Sequence, residues 1–477
     1  MYIFFDREAD VKYKLLLHME QEITERYEHL EEQFGISRKT LLKYLTLLDR
    51  DFEGTENRTR LIFSSESVVL NATSEFSVKK MMLQYVYSSL KFKLVDFSYR
   101  GTGGKLKFML RENISESTYY RLIRNVNDTV LAQFKVKIDA NLSMIGKEHQ
   151  IRYFYYCLYQ NLNNDEKNND NQEYSPMLDA WETVLNVKIS NPSSRGMFFL
   201  MDEIAKIRRE RVAGIFEVTH DMKKLTRNNK LFQELSALME NNYEKIKRKG
   251  WLEDAYISFC IVSSAAVLDE TIIPPLKLYQ EHENNKNSFY MYVEKFIYSI
   301  QKHIPNFKID SSVKETLLQF YCRVLIFEGY FYENNEELYW EYVKNERSFL
   351  CEVLKLVYQD LLDYFKKEDE KVFITFHAII LDNILTYSEM IPSVNIGIDS
   401  SRDRILVTFY SKKLEAYLSN DYRVNIQPYT EKNAYDIVLS DRKNKHENTF
   451  VTYSLGSFPN ITQVKQIKNL LKKATGF

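Results

Sequence analysis

From Asp10 to Ile23 the apolar residues Val11, Leu15, Leu16, Met19 and Ile23 recur on one face of a 3.6-residue period, which predicts an opening amphipathic helix. A second helical pattern, Tyr27 to Phe34, leads into Gly35-Ile36-Ser37 and then Arg38 to Phe52. Gly35 can take the left-handed conformation that ends a helix, Ile36 can plug the gap between two crossing helices, and Ser37 can cap the next one. That order is the pattern of a helix-turn-helix. In the second helix Leu41, Leu42, Leu45 and Leu48 form the buried stripe, leaving Arg38, Lys39, Thr40, Lys43 and Tyr44 outside. Arg60 to Phe63 and Val68 to Leu70, split by the polar run Ser64 to Ser67, predict a hairpin beside it, the wing of a winged unit.

The same order then repeats. Val78, Met81, Met82, Tyr85 and Val86 predict a helix, followed by helices over Leu90 to Tyr99 and Lys105 to Glu112, a turn at Asn113-Ile114-Ser115, and a long helix from Glu116 to Phe134. Tyr119, Leu122, Ile123, Val126 and Val130 face inward, whereas Ser117, Thr118, Tyr120, Arg121 and Arg124 face outward. Lys135 to Ile138 and Leu142 to Ile145 predict a second hairpin. One such pattern fits a plain helical hairpin equally well; two in tandem favour winged units. The outward residues of both helices are donors for phosphates and base edges.

Residues 161–173 are almost wholly polar and predict a linker. Two helical blocks follow, Ser175 to Pro274 and Asn287 to Ile391, broken by Pro274-Pro275 and a polar stretch from Glu281 to Asn287. They read as a repeat, each closing on a helix with an acidic lead-in, Trp251 to Cys260 in one and Glu370 to His377 in the other. The end of the chain changes period: strands are expected over Arg404 to Phe409, Arg423 to Gln427, Ala434 to Leu439 and Thr449 to Leu455, with helices over Lys412 to Leu418 and Thr462 to Ala474. The expected fold class is therefore mainly α and multidomain. Two winged helix-turn-helix units occupy 1–72 and 73–162, two helical bundles 174–284 and 287–393, and a small α/β domain 401–477.

Composition agrees with this. Only 13 Gly and 8 Pro occur in 477 residues, so helix breakers are scarce. No apolar run reaches the roughly 18 charge-free residues of a membrane span. The short apolar start, Met1 to Asp6, lacks a basic lead and a small-residue cleavage site, so a cytoplasmic location without membrane attachment is expected. Cys157, Cys260, Cys322 and Cys351 stand in apolar helical patterns without pairing motifs, which predicts buried thiols and no metal or cofactor. The net charge of -1 hides fourteen Lys and Arg against six Asp and Glu between Ser77 and Arg152, the footprint of an anion-binding module. Gly-rich phosphate loops, His-Glu-x-x-His and Gly-x-Ser-x-Gly are all missing, so an enzyme is not expected.

Ile114-Ser-Glu-Ser-Thr-Tyr-Tyr-Arg121 and Met144-Ile-Gly-Lys-Glu-His-Gln-Ile-Arg152, taken with the order of parts along essentially the whole chain, resemble the Mga/AtxA class of transcription regulators. The resemblance implies a regulator, usually an activator, that binds double-stranded promoter DNA chiefly through its second winged unit and reads DNA shape as much as base sequence. It also implies two phosphotransferase-system regulatory domains, phosphocarrier proteins as partners, a C-terminal domain similar to the IIB component of sugar transporters, and a homodimer. Under the resemblance, His377 matches a regulatory phosphorylation histidine, although a histidine packed between Phe376 and Ile379 is an equal reading. In the first block Met201 or Asp202 and Cys260 stand where histidines would be, while His220, His282 and His303 read as surface or cap histidines. A IIB nucleophile would be a Cys after the first strand; the expected loop, Phe409 to Lys413, has none, which implies a dimerisation or sensing role. The competing function is a helical scaffold whose winged units dock protein or RNA.

Overall fold

The structure, a computed structural model, describes residues 1–21, 24–53, 59–74, 76–101, 103–162, 174–211, 216–264, 278–304, 307, 309–329, 336–362, 370–384, 392–419, 421–441, 449–454 and 461–475. The polar run 163–173, the Pro274-Pro275 break, and Glu368 and Asp369 before the last helical segment lie outside them. The described residues form two compact units, one of 1–262 with 323–329 and the other of 263–264, 278–322 and 336–475.

The first unit opens with α1 (Arg7–Gln21), α2 (Tyr27–Phe34) and α3 (Arg38–Glu53). α1 starts earlier than its apolar spacing suggests because the Asp6 carboxylate accepts the Ala9 N–H at 2.8 Å, which caps the first turn; Ile23 lies outside the described residues. Gly35, at φ +60°, ends α2. Leu15, Leu16, Met19, Leu30, Leu41, Leu45 and Leu48 are fully buried, each contributing roughly 1.5–3 kcal/mol, while Leu42 is only half-buried. The expected wing is β2 (Arg60–Phe63) against β3 (Ser67–Asn71), with Ile62 opposite Val69. A third strand, β1 (Thr24–Arg26), pairs with the other side of β3. Three residues are too few for an alternation to be visible in sequence.

The second pattern becomes α4 (Val78–Ser88), α5 (Leu90–Arg100), α6 (Lys105–Glu112) and α7 (Glu116–Val126). The helix expected to run to Phe134 stays α-helical only to Val126. It continues as a π-turn over Asn127–Leu131 and a 3-10 turn over Ala132–Phe134, which together bury Val130, Leu131 and Phe134. The hairpin is minimal, β4 (Lys137–Ile138) on β5 (Met144–Ile145), and α8 (Glu148–Leu162) follows at once. The helical part of this unit is α9 (Pro176–Leu185), α10 (Pro192–Arg209), α11 (His220–Thr226), α12 (Lys230–Lys245) and α13 (Trp251–Ser264). Ser175, Asn191, Thr219 and Asn229 each cap the helix that follows, and Pro opens two of the four, where its missing N–H costs nothing.

The second unit holds α14 (Leu278–Asn284), α15 (Ser288–His303), α16 (Ser311–Ile326, whose last turn belongs to the first unit), α17 (Glu336–Glu346), α18 (Ser348–Leu361) and α19 (Glu370–Ile384). A parallel sheet follows, built from β6 (Ser393–Asp399), β7 (Arg423–Pro428), β8 (Tyr435–Ser440) and β9 (Thr449–Ser454) in the order β7-β6-β8-β9. Helices α20 (Arg404–Leu418) and α21 (Ile461–Thr475) pack Leu414, Leu418, Ile467 and Leu471 onto it.

Two expectations for this region are corrected. Arg404 to Phe409 is the start of α20 and not a strand: the Asp403 side chain caps it through the Ile405 N–H at 2.7 Å. The first strand is β6, so the domain begins at Ser393 and not at 401, and the loop after the first strand is Ser400 to Asp403 and not Phe409 to Lys413. That loop also lacks Cys. Its Ser400 hydroxyl and Ser401 N–H bond Asp441, at 2.6 and 3.0 Å. His282, expected at the surface or in a cap, is fully buried and bonded to Asn287. All four cysteines are buried, and burial pushes the Cys157 thiol up to about 12.

Candidate DNA-binding surface

The two helix-turn-helix patterns place their outward residues differently. At the start of α3, Arg38 is spent within its own unit: its guanidinium lies 3.8 Å from the Tyr27 ring centre, donates to the Ser65 carbonyl at 3.1 Å, and stands 3.6 Å from the Glu31 carboxylate. It holds α3 to α2 and to the wing turn. Thr40 is half-buried and bonded to the Ser37 hydroxyl at 3.0 Å. Lys39 and Lys43 are exposed, and Tyr44 is half-buried with the Lys43 ammonium 5.9 Å from its ring centre. Of the five outward residues expected on this helix, the two lysines are the ones fully presented to solvent.

In the second helix-turn-helix pattern the turn ends α6 at Asn113, which takes the left-handed conformation at φ +51°. Ser115 caps α7 by accepting the Thr118 N–H at 3.2 Å, and Glu116 in the first turn complements the helix dipole. Tyr119, Ile123 and Val126 are buried beneath α7, whereas Leu122 is half-buried. Ser117, Tyr120, Arg121 and Arg124 are exposed, and Thr118 is half-buried. Arg121 and Arg124 form no ion pair with any described residue. One helical turn thus presents two unpaired guanidinium groups three residues apart.

The surroundings of α7 are held in place. Lys105 donates to the Tyr120 hydroxyl at 2.9 Å and pairs with Glu116; that pair, then the tyrosine, raises its pKa. The Tyr119 hydroxyl donates to the Ala140 carbonyl at 2.9 Å, tying the helix to the hairpin tip. Asn127 bonds both the N–H and the carbonyl of Ile138, at 2.8 and 2.9 Å, as a neighbouring strand would. Wing and helix therefore move together. The features the sequence did not disclose are these clamps, because they arise from positions far apart in the chain.

A second arrangement missed from sequence is centred on α8. α8 is buried from His149 to Tyr159. Its Arg152 pairs with Glu148 at 2.9 Å and with Asp254 of α13 at 2.6 Å; Glu148 in turn takes Arg208 of α10 at 2.7 Å. Arg209 and Arg248 also reach Asp254, and Arg248 reaches Asp202 at 3.3 Å. Burial opposes the Glu148 charge, yet Arg208 and Arg152 outweigh it and keep its pKa below the ordinary value. At Asp202 burial wins and raises the pKa to about 6, against the opposing pull of Ser175 and Arg248. Asp202, one of the two residues expected where the resemblance would place a histidine, is thus a structural acid in this network.

His377, the candidate phosphorylation residue, is fully buried in the second unit. Its Nδ1 donates to the Phe373 carbonyl at 2.8 Å and its Nε2 accepts from the Tyr321 hydroxyl at 3.0 Å, with the Phe296 ring stacked at 4.6 Å. Burial lowers its pKa to about 3. Both nitrogens are occupied, so a phosphoryl donor reaches either one only after α19 has opened from α15 and α16.

Residues 74–159, from just before α4 to near the end of α8, match the family model of the Mga helix-turn-helix domain. No curated protein matches the chain significantly. Among the described residues, no helix is long and apolar enough to cross a membrane.

Proposed function

We propose that this chain, an Mga-type DNA-binding regulator, reads double-stranded promoter DNA with α7, Arg121 and Arg124 being the principal contacts and α3 adding phosphate contacts through Lys39 and Lys43. The observation that carries the reading is the pair of exposed, unpaired arginines on the helix that follows the turn of the Mga helix-turn-helix domain. Guanidinium groups suit both phosphate oxygens and the O6/N7 edge of guanine, and shape readout adds to base contacts where DNA must bend. Fluorescence anisotropy on a duplex taken from upstream of the protein's own gene tests it. Affinity falls steeply between 50 and 200 mM salt, by about tenfold or more, if several phosphates are neutralised. No binding at low salt would instead favour the scaffold reading, in which the winged units dock protein or RNA.

The finer reading is a cytoplasmic activator, without a reaction of its own, that works as a homodimer and answers to carbohydrate supply through phosphocarrier proteins. What supports the dimer is α20, whose Ile405, Leu406 and Phe409 are 78%, 58% and 48% exposed on a helix that otherwise packs on the sheet. What supports the regulatory role is the order of parts, with helical blocks between the DNA-binding module and an α/β domain lacking a nucleophilic Cys. Phosphoryl transfer from a phosphocarrier to full-length protein, compared with His377→Ala, tests the last step; equal labelling of both excludes His377.

A further inference from the structure

The inner side of β1 carries a carboxylate where a three-strand sheet over an apolar core calls for an aliphatic residue. Thr24 and Arg26 point out, and Glu25 between them is buried. Its carboxylate meets two imidazoles: Oε1 is 2.7 Å from Nε2 of His18, in the last turn of α1, and Oε2 is 2.8 Å from Nδ1 of His29, on α2. One ligand atom from each of the three residues lies within 4.8 Å of the others. Among the described residues no Lys or Arg pairs with Glu25. A buried carboxylate thus faces two imidazole rings, and a buried acid needs such partners.

We propose that His18, Glu25 and His29 bind a divalent first-row transition ion of the zinc type. The donor set is right for it: two imidazole nitrogens and one carboxylate are borderline ligands that favour zinc and its neighbours over magnesium or calcium. Ligands about 2.1 Å from a tetrahedral zinc stand about 3.4 Å apart, and one donor atom from each residue already lies within 4.8 Å of the other two. A dication held by one carboxylate and two neutral imidazoles gives a site of net +1, with each imidazole proton on the ring nitrogen that faces away from the ion. Three protein ligands leave a fourth position for water, and His29, being exposed, faces the solvent from which the ion enters. The Phe34 ring meets that of His18 edge-on, 6.1 Å between centres.

The site joins the end of α1, the strand β1 and the helix α2 at one point. α2 is the helix onto which Arg38 of α3 stacks through Tyr27. An ion would therefore fix the position of the first helix-turn-helix pair against the rest of its unit, by a link that neither helix packing nor the wing supplies.

The experiment uses full-length protein freed of any affinity tag. Equilibrium dialysis with zinc followed by elemental analysis is expected to give one ion per chain, and cobalt(II) to give the strong visible absorption of a four-coordinate site. Excess magnesium leaves both unchanged. His29→Ala, at an exposed position, is expected to stay folded by circular dichroism while weakening zinc by tenfold or more; Glu25→Gln should do the same with an altered melting temperature. Failure of the parent protein to bind zinc overturns the proposal. So does zinc binding of parental strength in a folded His29→Ala protein, since the ion would then sit elsewhere.

Discussion

Replacing Arg121 and Arg124 by Ala removes two charges from a single turn of α7 without touching Tyr119, Ile123 or Val126 beneath it. Exposed substitutions of this kind change stability by about 0.5 kcal/mol or less. The matched control is Arg38→Ala with Lys39→Ala, which removes the same charge from α3. If both α7 arginines neutralise phosphates, the slope of log affinity against log salt falls by about 1.8, from about 0.9 for each contact. If one reads a guanine, that position loses about 1–3 kcal/mol and its base preference relaxes. The two doubles should then diverge in opposite senses. The α7 pair loses at least about tenfold in affinity at 100 mM salt with an unchanged melt. The α3 pair loses the Tyr27 and Glu31 contacts of Arg38, worth about 0.5–1 kcal/mol for the stacking, and so loses stability first and DNA second. Anisotropy titrations at several salt concentrations, with thermal melts alongside, separate these. A larger affinity loss in the α3 pair, at equal or better stability, would refute the assignment of the reading helix.

Three further outcomes follow from the same geometry. Asp254→Ala strands Arg152 in a buried site and is expected to cost about 3–5 kcal/mol in urea unfolding, whereas Arg152→Met with Asp254→Leu costs less; equal losses would mean the pair is not coupled. His377 has a folded pKa of about 3, below the unfolded value near 6.5, so its stabilisation is complete above pH 6.5 and is lost as pH falls toward 3. At pH 5 the loss is about 2 kcal/mol, and a His377→Gln protein that folds should lack that part of the pH dependence of its unfolding free energy. Leu406→Glu on α20 should shift sedimentation toward monomer without changing the melt; an unchanged dimer would remove α20 from the interface.

The parts of this fold legible in sequence are those with a local cause. α2, α3, α5, α6 and α7 begin within a residue of expectation because their caps and left-handed ends, Gly35, Asn113 and Ser115, are written beside them. β1 and β6 were not legible. The first is too short to alternate, and the second, Val394-Asn-Ile-Gly-Ile398, falls between the helical bundle expected to end at 393 and the α/β domain expected to start at 401. Ile405, Leu406 and Val407 looked like a strand because β-branched and aliphatic residues cluster there; the Asp403 cap and packing on the sheet decided for helix. For the DNA-binding surface, sequence supplied the candidates but not their state. That Arg38 is committed and Arg121 is free depends on Tyr27, Glu31 and Ser65, which no spacing rule brings together. The His18–Glu25–His29 group was overlooked for the same reason, since only the pairing of β1 with β3 turns Glu25 inward.

Under the proposed function, the route of a signal from the helical part of the first unit to α7 is constrained by α8. The wing strand β5 ends at Ile145, and α8 starts at Glu148. Gly146 between them sits at φ +155° with its missing Cβ 2.9 Å from Val136, so this link is tight and tolerates no side chain. A shift of α8 therefore reaches the wing, and through Asn127 and Tyr119 reaches α7, within a few residues. At its other side α8 is bound to α10 and α13 by Glu148 and Arg152. Undoing one of these buried pairs costs about 3–5 kcal/mol, while allosteric couplings are typically about 1–3 kcal/mol. A signal of ordinary size is too weak to act by breaking the network. Under the proposed regulation it acts by carrying α8 along with α10 and α13 as one body, so substitutions that loosen Arg152 should uncouple regulation from DNA binding before they abolish either.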